Sequence, residues 1–366
     1  ATIYYNPAGI TQLKGDNLRG GVYGIDLDAS YSPPDSGQTC HSSDHLAAVP
    51  QFFYTHTPKE LPLSCGLGVY APYGGNMNWP QDTGFNTVAI SGSLKYISIN
   101  PAVAVKLSPT LSIGGGVMVN YAKIRMSQGL RAGPANHFNF DGNGWSVGYN
   151  AGILWQPRPK ISFGAAFRSA ATVNMKGKTD FEMQPFVAAG SRNAHVDFTF
   201  PLTAAAGFSF RPTPKWNLEF DADYTDWSSF GTTTIYQQSN PGLGGLQNPL
   251  VNLDWRGSWT YEFGVTRYFD SGWHVSAGYA FNENSVPDTY YEPLAADMGR
   301  HFFSVGTGFK GKTFDFDIAC QFGYGPAHTV TGSTPPSTPG LFSGQSADGK
   351  YGFTSSALIL SVGMRF

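Results

Sequence analysis

Only one short run in the chain has the residue types and spacing that metal chemistry requires. The run Cys40-His41-Ser42-Ser43-Asp44-His45 holds four side chains that could ligate a metal ion. It stands alone, without the second cysteine or histidine pair of a structural zinc site. We therefore interpret it as a loop and expect neither a metal nor a cofactor, while any role of Cys40 and His41 stays open.

Catalytic signatures are equally weak. Serine, histidine and aspartate are present, as an outer-membrane lipid-active enzyme would need, but we expect no strand-to-helix nucleophile elbow. The triplet Gly114-Gly115-Gly116 lies inside a predicted strand, so it cannot form a phosphate-binding loop. The sequence therefore predicts that the protein is not an enzyme.

The composition indicates β-structure that faces something other than water. Charged residues make up 13% of the 366 residues, against about a quarter in soluble proteins, while aromatics reach 15%. The net charge of −2 argues against a nucleic-acid partner. No run approaches the roughly 20 apolar residues of a membrane-spanning helix.

Period-2 alternation is the dominant pattern of the chain, and it predicts strands with two different faces. In Leu111–Ala122 and in Phe314–Tyr324, large apolar residues alternate with small, polar or acidic ones. Large aromatic residues such as Trp145 and Trp155 stand near the ends of the apolar face. That placement is typical of the aromatic girdles of a membrane barrel, whereas a soluble sandwich has no need of them.

The connections between these strands alternate in length. Six short turns and seven long loops give thirteen connections, and hence about fourteen strands. The short turns are 58–62, 108–110, 157–160, 212–215, 270–272 and 311–312, and the long loops lie near 32–46, 76–90, 127–142, 177–196, 229–251, 283–299 and 328–350. An even number of antiparallel strands with turns at one end predicts a closed barrel in the bacterial outer membrane.

The first strand begins only near Leu18, so we divide the chain into a segment 1–16 and a barrel 17–366. The segment contains Asn6-Pro7-Ala8-Gly9, a turn sequence in which Pro7 fixes its own φ and Gly9 permits a left-handed exit. Composition alone favours a frayed tail here.

A family resemblance favours a more specific interpretation. Tyr4-Tyr5-Asn6-Pro7-Ala8-Gly9-Ile10-Thr11 resembles the plug motif of the FadL family of outer-membrane transporters for hydrophobic compounds. The resemblance continues through three further runs and the closing strand: residues 68–74, 99–104 and 226–230. It implies a fourteen-stranded barrel whose N-terminal hatch fills the lumen. Members take up long-chain fatty acids or, in a TodX- and TbuX-like branch, monoaromatic hydrocarbons.

Two departures from the family pattern affect these expectations. The family's hatch begins well upstream of this Asn-Pro-Ala-Gly, so we expect part of the plug to lie outside residues 1–16. The loop 127–142 is short beside the helix-bearing loop of the fatty-acid transporter, which puts an outer hydrophobic collecting groove in doubt.

Pro72 interrupts an otherwise regular strand, and Gly74 and Gly75 follow within three positions. A proline cannot donate to a sheet ladder, and a closed barrel has no edge to place it on. A bulge near the rim would explain it. The family resemblance instead implies a lateral opening at the third strand, formed by Ala71, Pro72, Gly74 and Gly75. We expect Asn6–Gly9 to approach this kink from inside.

Several inward-facing side chains could bind a substrate. Arg168 is the preferred partner for a carboxylate, although the inward charges would also serve as a network that holds barrel and plug together. Tyr96, Met118, Leu154 and Phe302 could line an apolar pocket, where binding follows from burial of apolar surface.

The sequence thus predicts an all-β, plugged, monomeric outer-membrane barrel for passive uptake of hydrophobic small molecules. Its expected partners are the substrate, membrane lipid and lipopolysaccharide. The choice between fatty acids and aromatic hydrocarbons is left open. The alternatives are a general diffusion porin, which would conduct ions freely, and a lipid-active enzyme.

Overall fold

A computed structural model of the protein describes residues 2–34, 37–43, 46–130, 137–183, 187–238, 248–334 and 345–366. These residues form one closed antiparallel barrel of fourteen strands, which confirms the predicted fold class. Closure comes from the pairing of the first and last strands, which runs from Asn17↔Arg365 to Ser32↔Lys350.

Three of the fourteen strands consist of two segments each. The strands are β1 (Gly15–Ser32), β2 (Leu46–Thr57), β3a (Leu63–Tyr70) and β3b (Gly74–Asn78), β4 (Ser91–Ser108), β5 (Leu111–Gly129), β6 (His137–Arg158), β7a (Ile161–Arg168) and β7b (Ala171–Met183), β8a (Val187–Phe200) and β8b (Thr203–Phe210), β9 (Trp216–Thr225), β10 (Ser258–Tyr268), β11 (Trp273–Asn282), β12 (Arg300–Lys310), β13 (Phe314–Val330) and β14 (Gly349–Arg365).

The remaining elements are short and lie outside the ladder of the fourteen strands. Helix α1 (Thr2–Tyr5) and a 3₁₀ helix (Pro7–Gln12) precede β1. The loops carry the strands Cys40–His41, Thr232–Thr234, Tyr236–Gln237 and Leu250–Asn252 and the 3₁₀ helices Trp227–Ser229 and Asp288–Tyr290. In the described part of the chain, no helix is both long and apolar enough to span a membrane.

The two faces of the wall have opposite character, as the alternation predicts. Apolar side chains of the outer face are exposed, among them Val147 at 68%, Val305 at 63% and Trp145 at 62%. On the inner face, the polar side chains of Asn120 and Asn150 are buried. A soluble barrel would reverse this arrangement, so the outer face is the one that contacts lipid.

All six short turns lie between paired strands, but two of the predicted long loops are wrong. Residues 177–196 belong mostly to β7b and β8a, which pair from Ala171↔Phe200 to Met183↔Val187. Strands β5 and β6 likewise extend into 127–142, where residues 131–136 lie outside the described residues. Both stretches are polar, but strand pairing satisfies backbone groups whatever the side chains are.

Candidate functional site: a plugged lumen beside a break in the wall

The N-terminal segment, residues 2–12, lies inside the barrel. Its Ile3, Ala8 and Ile10 side chains are fully buried. Pro7 opens the 3₁₀ helix, and the extended Asn6 caps it by accepting a hydrogen bond from the Ala8 N–H at 3.0 Å. A helix this short is marginal by itself, and packing of its buried side chains against the wall stabilises it here.

Glycines on the inner face make room for this segment. A Cβ atom on Gly114 would stand 2.6 Å from the Ala8 nitrogen, and one on Gly66 would stand 2.8 Å from Ile3 Cδ1. At Gly152 a Cβ atom would collide with the Asn6 side chain. The small residues that alternate with apolar ones in the sequence therefore form the surface on which the segment packs. We call Gly66, Gly114 and Gly152 the glycine bed.

Polar contacts to three strands anchor the segment to the wall. The Asn6 amide donates to the carbonyl oxygens of Ile153 at 2.9 Å and Ala165 at 3.2 Å. Arg168 Nη2 donates to the Tyr4 carbonyl oxygen at 2.7 Å, and its guanidinium lies 4.6 Å from the Tyr4 ring centroid. The Thr11 hydroxyl donates to the Ser112 hydroxyl at 2.8 Å. None of these contacts is a charge pair.

The wall is interrupted at the third strand. Strand β3a ends at Tyr70 and β3b begins at Gly74, so Ala71, Pro72 and Tyr73 lie outside the ladder. Pairing with β2 ends at Phe52↔Val69, whereas pairing with β4 resumes at Gly74↔Lys95. Among the described residues, a single bridge, Ser43↔Asn78, reaches β3b from the β2 side.

Two prolines explain why the ladder stops there. Continuing the β2–β3a register beyond Phe52↔Val69 would place Pro50 opposite Ala71, next to Pro72. Neither proline has an N–H to donate, so the two strands cannot extend their hydrogen bonding through this point.

The expected approach of Asn6–Gly9 to the break is wrong. These residues lie over Gly114 and Gly152, several residues nearer the turn end of the barrel. The ring of Tyr4 comes closer, because it packs edge-on against Tyr70 at a centroid distance of 5.0 Å. The Asn6 amide donates instead to carbonyl oxygens of β6 and β7a, which places Asn6 on that side of the lumen.

An aromatic cluster fills the lumen beside the break. Tyr73, the last residue of the interruption, packs against Tyr96, Phe200 and Trp227 at 5.2, 5.4 and 5.8 Å between ring centroids. Trp227 in turn contacts two further rings, so the aromatic cluster consists of Tyr73, Tyr96, Phe200, Trp227, Phe230 and Trp255. It belongs to a larger buried apolar core that also includes Val173, Met175 and Phe181.

The predicted pocket residues are not brought together. Tyr96 is in the aromatic cluster, and Met118 is buried one layer below it. Leu154 lies nearer the turn end, where it pairs with Ser112, and Phe302 packs on Phe353 in a separate cluster under the loops. Arg168 is engaged with Tyr4, so its role as a carboxylate partner stays a prediction.

A cavity lies at the turn end of the barrel, beside the N-terminal segment. It measures about 350 Å³ and is lined by both apolar and charged side chains, including Phe53 and Arg19. Arg19 pairs with Asp315 and, at 2.6 Å, with Asp317. An ionic network therefore joins the first strand to β13 at this mouth, as expected for inward-facing charges.

The run that begins at Cys40 is described only as far as Ser43, and Asp44 and His45 lie outside the described residues. His41 pairs with Asp28 at 3.0 Å, and the described residues include no group of three His, Cys, Asp or Glu side chains placed for a metal ion. The letters Gly-x-Ser-x-Gly do occur, in Gly144-Trp145-Ser146-Val147-Gly148. They lie within strand β6, so they form no strand-to-helix elbow.

Sequence reasoning missed Tyr73 and two buried asparagines. Asn100 Oδ1 accepts hydrogen bonds from the Tyr70 hydroxyl and the Asn150 amide, each at 2.9 Å. These three side chains lie just below the break in the third strand. Tyr73 could have been noticed, because it is an aromatic residue between Pro72 and Gly74. The two asparagines carry no local signal, because many other inner-face positions are also small or polar.

Known proteins share both the sequence pattern and the fold. The family model described as "Outer membrane protein transport protein (OMPP1/FadL/TodX)" matches residues 1–366. A long-chain fatty acid transport protein of Escherichia coli K12 is 22% identical over 367 residues, which cover 87% of this chain and 81% of that protein.

Solved structures agree with this assignment at the level of fold. A Pseudomonas aeruginosa FadL homologue matches with a TM-score of 0.87 and 18% identity, covering 100% of this chain and 94% of that one. The Pseudomonas putida toluene transporter TodX matches with a TM-score of 0.75 and 14% identity, covering 100% and 93%. Because the family model spans the whole chain, the protein belongs to the OMPP1/FadL/TodX family of outer-membrane transport proteins.

Proposed function

We propose that the protein takes up hydrophobic small molecules, either long-chain fatty acids or monoaromatic hydrocarbons, by passive diffusion through the lumen and out through the wall at β3. The supporting observation is the break at Ala71–Tyr73, which lies directly beside the aromatic cluster. The outer-membrane location of the protein and its class, a transporter and not an enzyme, follow from the family. Relatives are named for transport of long-chain fatty acids and of toluene, which supports both substrate classes.

Apolar burial supplies the affinity in this proposal. Each Å² of apolar substrate surface removed from water stabilises the complex by about 25 cal/mol, without directional contacts. Exit through the wall then lets the substrate reach the bilayer without crossing water. Backbone groups left unpaired at the break are tolerable only where they face a cavity or a plug.

Residues 2–12 act as the hatch in the same proposal, with Asn6, Pro7, Ala8 and Gly9 at its centre. The segment blocks the direct path to the periplasmic mouth, which favours the sideways route through Ala71, Pro72, Gly74 and Gly75. The barrel works as a monomer surrounded by lipid and lipopolysaccharide, since its closed wall needs no second copy.

Gly74→Trp tests the route. A Cβ atom on Gly74 meets its nearest atom at 3.5 Å, so the backbone accepts a side chain and the indole narrows the break. We expect uptake of oleate or toluene to fall at least tenfold while the folded barrel keeps its heat-modifiable mobility on gels. The control is Gly20→Trp on β1, where a Cβ atom meets nothing within 4 Å. Unchanged uptake in the Gly74 variant would point to release through the periplasmic mouth.

Conductance separates the transporter from a diffusion porin. With the hatch docked, the full-length protein in a planar bilayer should pass little steady ion current. Large constitutive conductance in the unaltered protein would favour the porin.

A further inference from the structure

Tyr73 connects the break in the wall to the far side of the lumen. Its ring is inserted among Tyr96, Phe200 and Trp227, and its hydroxyl donates to the Pro201 carbonyl oxygen at 3.1 Å. Pro201 lies between β8a and β8b, at another interruption of a strand. One side chain therefore holds two irregular points of the barrel together.

The Tyr73 ring takes up the space among the rings of Tyr96, Phe200 and Trp227, at centroid distances of 5.2, 5.4 and 5.8 Å. Elsewhere in the same apolar core, a cavity of about 10 Å³ beside Phe140 and Phe198 is at or below the volume that a single water needs. A substrate ring can therefore take this place among the three rings only if Tyr73 leaves it. Tyr73 is suited to leave because Ala71–Tyr73 is not held by ladder pairing in the described structure.

We infer that Tyr73 is an internal stand-in for the substrate: its phenol ring occupies the site where an uncharged monocyclic phenol binds, and its displacement opens the path to the break. This inference rests on the proposed uptake function and names a preferred substrate class for it.

The chemistry of the site selects this class. The three rings offer faces and edges at distances that suit another aromatic ring. The Pro201 carbonyl oxygen can only accept a hydrogen bond, so it favours a ligand with a hydroxyl group and disfavours a carboxylate.

Tyr73→Phe provides the decisive measurement. The full-length protein in detergent is titrated with p-cresol, which matches the tyrosine side chain, and tryptophan fluorescence reports binding near Trp227. If Tyr73 competes with the ligand, losing its hydroxyl weakens the competitor and frees the Pro201 carbonyl. We expect p-cresol to bind about fivefold more tightly, because the competing side chain of residue 73 has lost one hydrogen bond. A side chain that only lined the pocket would give unchanged or weaker binding.

Two comparisons complete the test. The control is Tyr23→Phe, since the Tyr23 hydroxyl donates to Gln321 at 3.0 Å on the opposite wall, and p-cresol affinity should not change. In the unaltered protein we expect p-cresol to bind more tightly than toluene, and toluene more tightly than benzoate. The inference is overturned if Tyr73→Phe gives no gain in affinity or if benzoate binds as tightly as p-cresol.

The outcome can be separated from that of the proposed function. Binding in detergent requires no transport, whereas uptake is measured in proteoliposomes with oleate or toluene. Absent uptake with the expected p-cresol behaviour would refute the transport route and leave the Tyr73 site supported. Normal uptake without the affinity gain would refute the Tyr73 site alone.

Discussion

Replacing Asn6 by aspartate should release the N-terminal segment from the wall. The Asn6 amide donates to the Ile153 and Ala165 carbonyl oxygens on neighbouring strands, and its Oδ1 accepts from the Ala8 N–H. Aspartate keeps the size of the side chain and the cap on Ala8. It has no N–H, however, so a carboxylate then faces two carbonyl oxygens.

The magnitude follows from these contacts. Two lost hydrogen bonds cost about 2 kcal/mol, and the enclosed carboxylate with two unsatisfied carbonyl groups adds about 2 kcal/mol more. A total of about 4 kcal/mol shifts the docking equilibrium of the segment by roughly a thousandfold. Asn6→Ala loses these two bonds and the cap on Ala8 without adding a charge, which costs about 3 kcal/mol, so its shift should be roughly 150-fold.

Ion conductance of the full-length protein in planar bilayers measures the undocked fraction. Open events should become most frequent in Asn6→Asp, intermediate in Asn6→Ala and rare in the unaltered protein. Asn17→Asp is the matched control, because the Asn17 amide donates only to carbonyls near its own position, such as Lys14 at 3.0 Å. A folded Asn6→Asp barrel that is as insulating as the unaltered protein would refute the docking of the hatch by Asn6.

Three further predictions concern the hatch, the lumen and the loops. Gly114→Val places a Cβ atom 2.6 Å from the Ala8 nitrogen, so we expect greater protease access to residues 2–12; an unaltered cleavage rate would contradict the glycine bed. Arg168→Ala removes the 2.7 Å contact with Tyr4 and should raise conductance while leaving the ratio of oleate to toluene affinity unchanged; a selective loss of oleate binding would instead establish the carboxylate role. Burial raises the pKa of Glu292, in the loop 283–299, from 4.5 to about 7, so the fold favours its protonated form. The contribution of protonated Glu292 to the free energy of unfolding is fully present below pH 4.5 and is lost as the pH rises through 7. This loss amounts to about 3 kcal/mol at most. Protection of the amides in that loop, taken relative to their intrinsic exchange rate at each pH, should therefore be lower at pH 8.5 than at pH 5.5. Glu292→Gln should remove this difference in protection, whereas Glu60→Gln in an exposed turn should not.

The sequence by itself determined the strands and their number. Alternation in runs such as Leu111–Ala122 is a local property, because successive side chains of a strand point to opposite faces. The tight turns are local as well, so fourteen strands and the short-turn end could be counted from residue types. Polar composition is misleading at 177–196, where β7b and β8a pair from Ala171↔Phe200 to Met183↔Val187 and satisfy their backbone groups whatever the side chains are.

Only the tertiary structure decided what surrounds the lumen and the break. Pro72 marked the interruption, but its cause also includes Pro50, which the register of β2 and β3a would place opposite Ala71. The docking site of Asn6 on Ile153 and Ala165 could not be read from the sequence, because any strand carbonyl can accept an amide hydrogen. The same is true of Tyr73, whose ring meets Phe200 and whose hydroxyl reaches Pro201 across the lumen. Local periodicity fixes which face a side chain points to, whereas its partner on that face depends on the register and curvature of the whole closed wall.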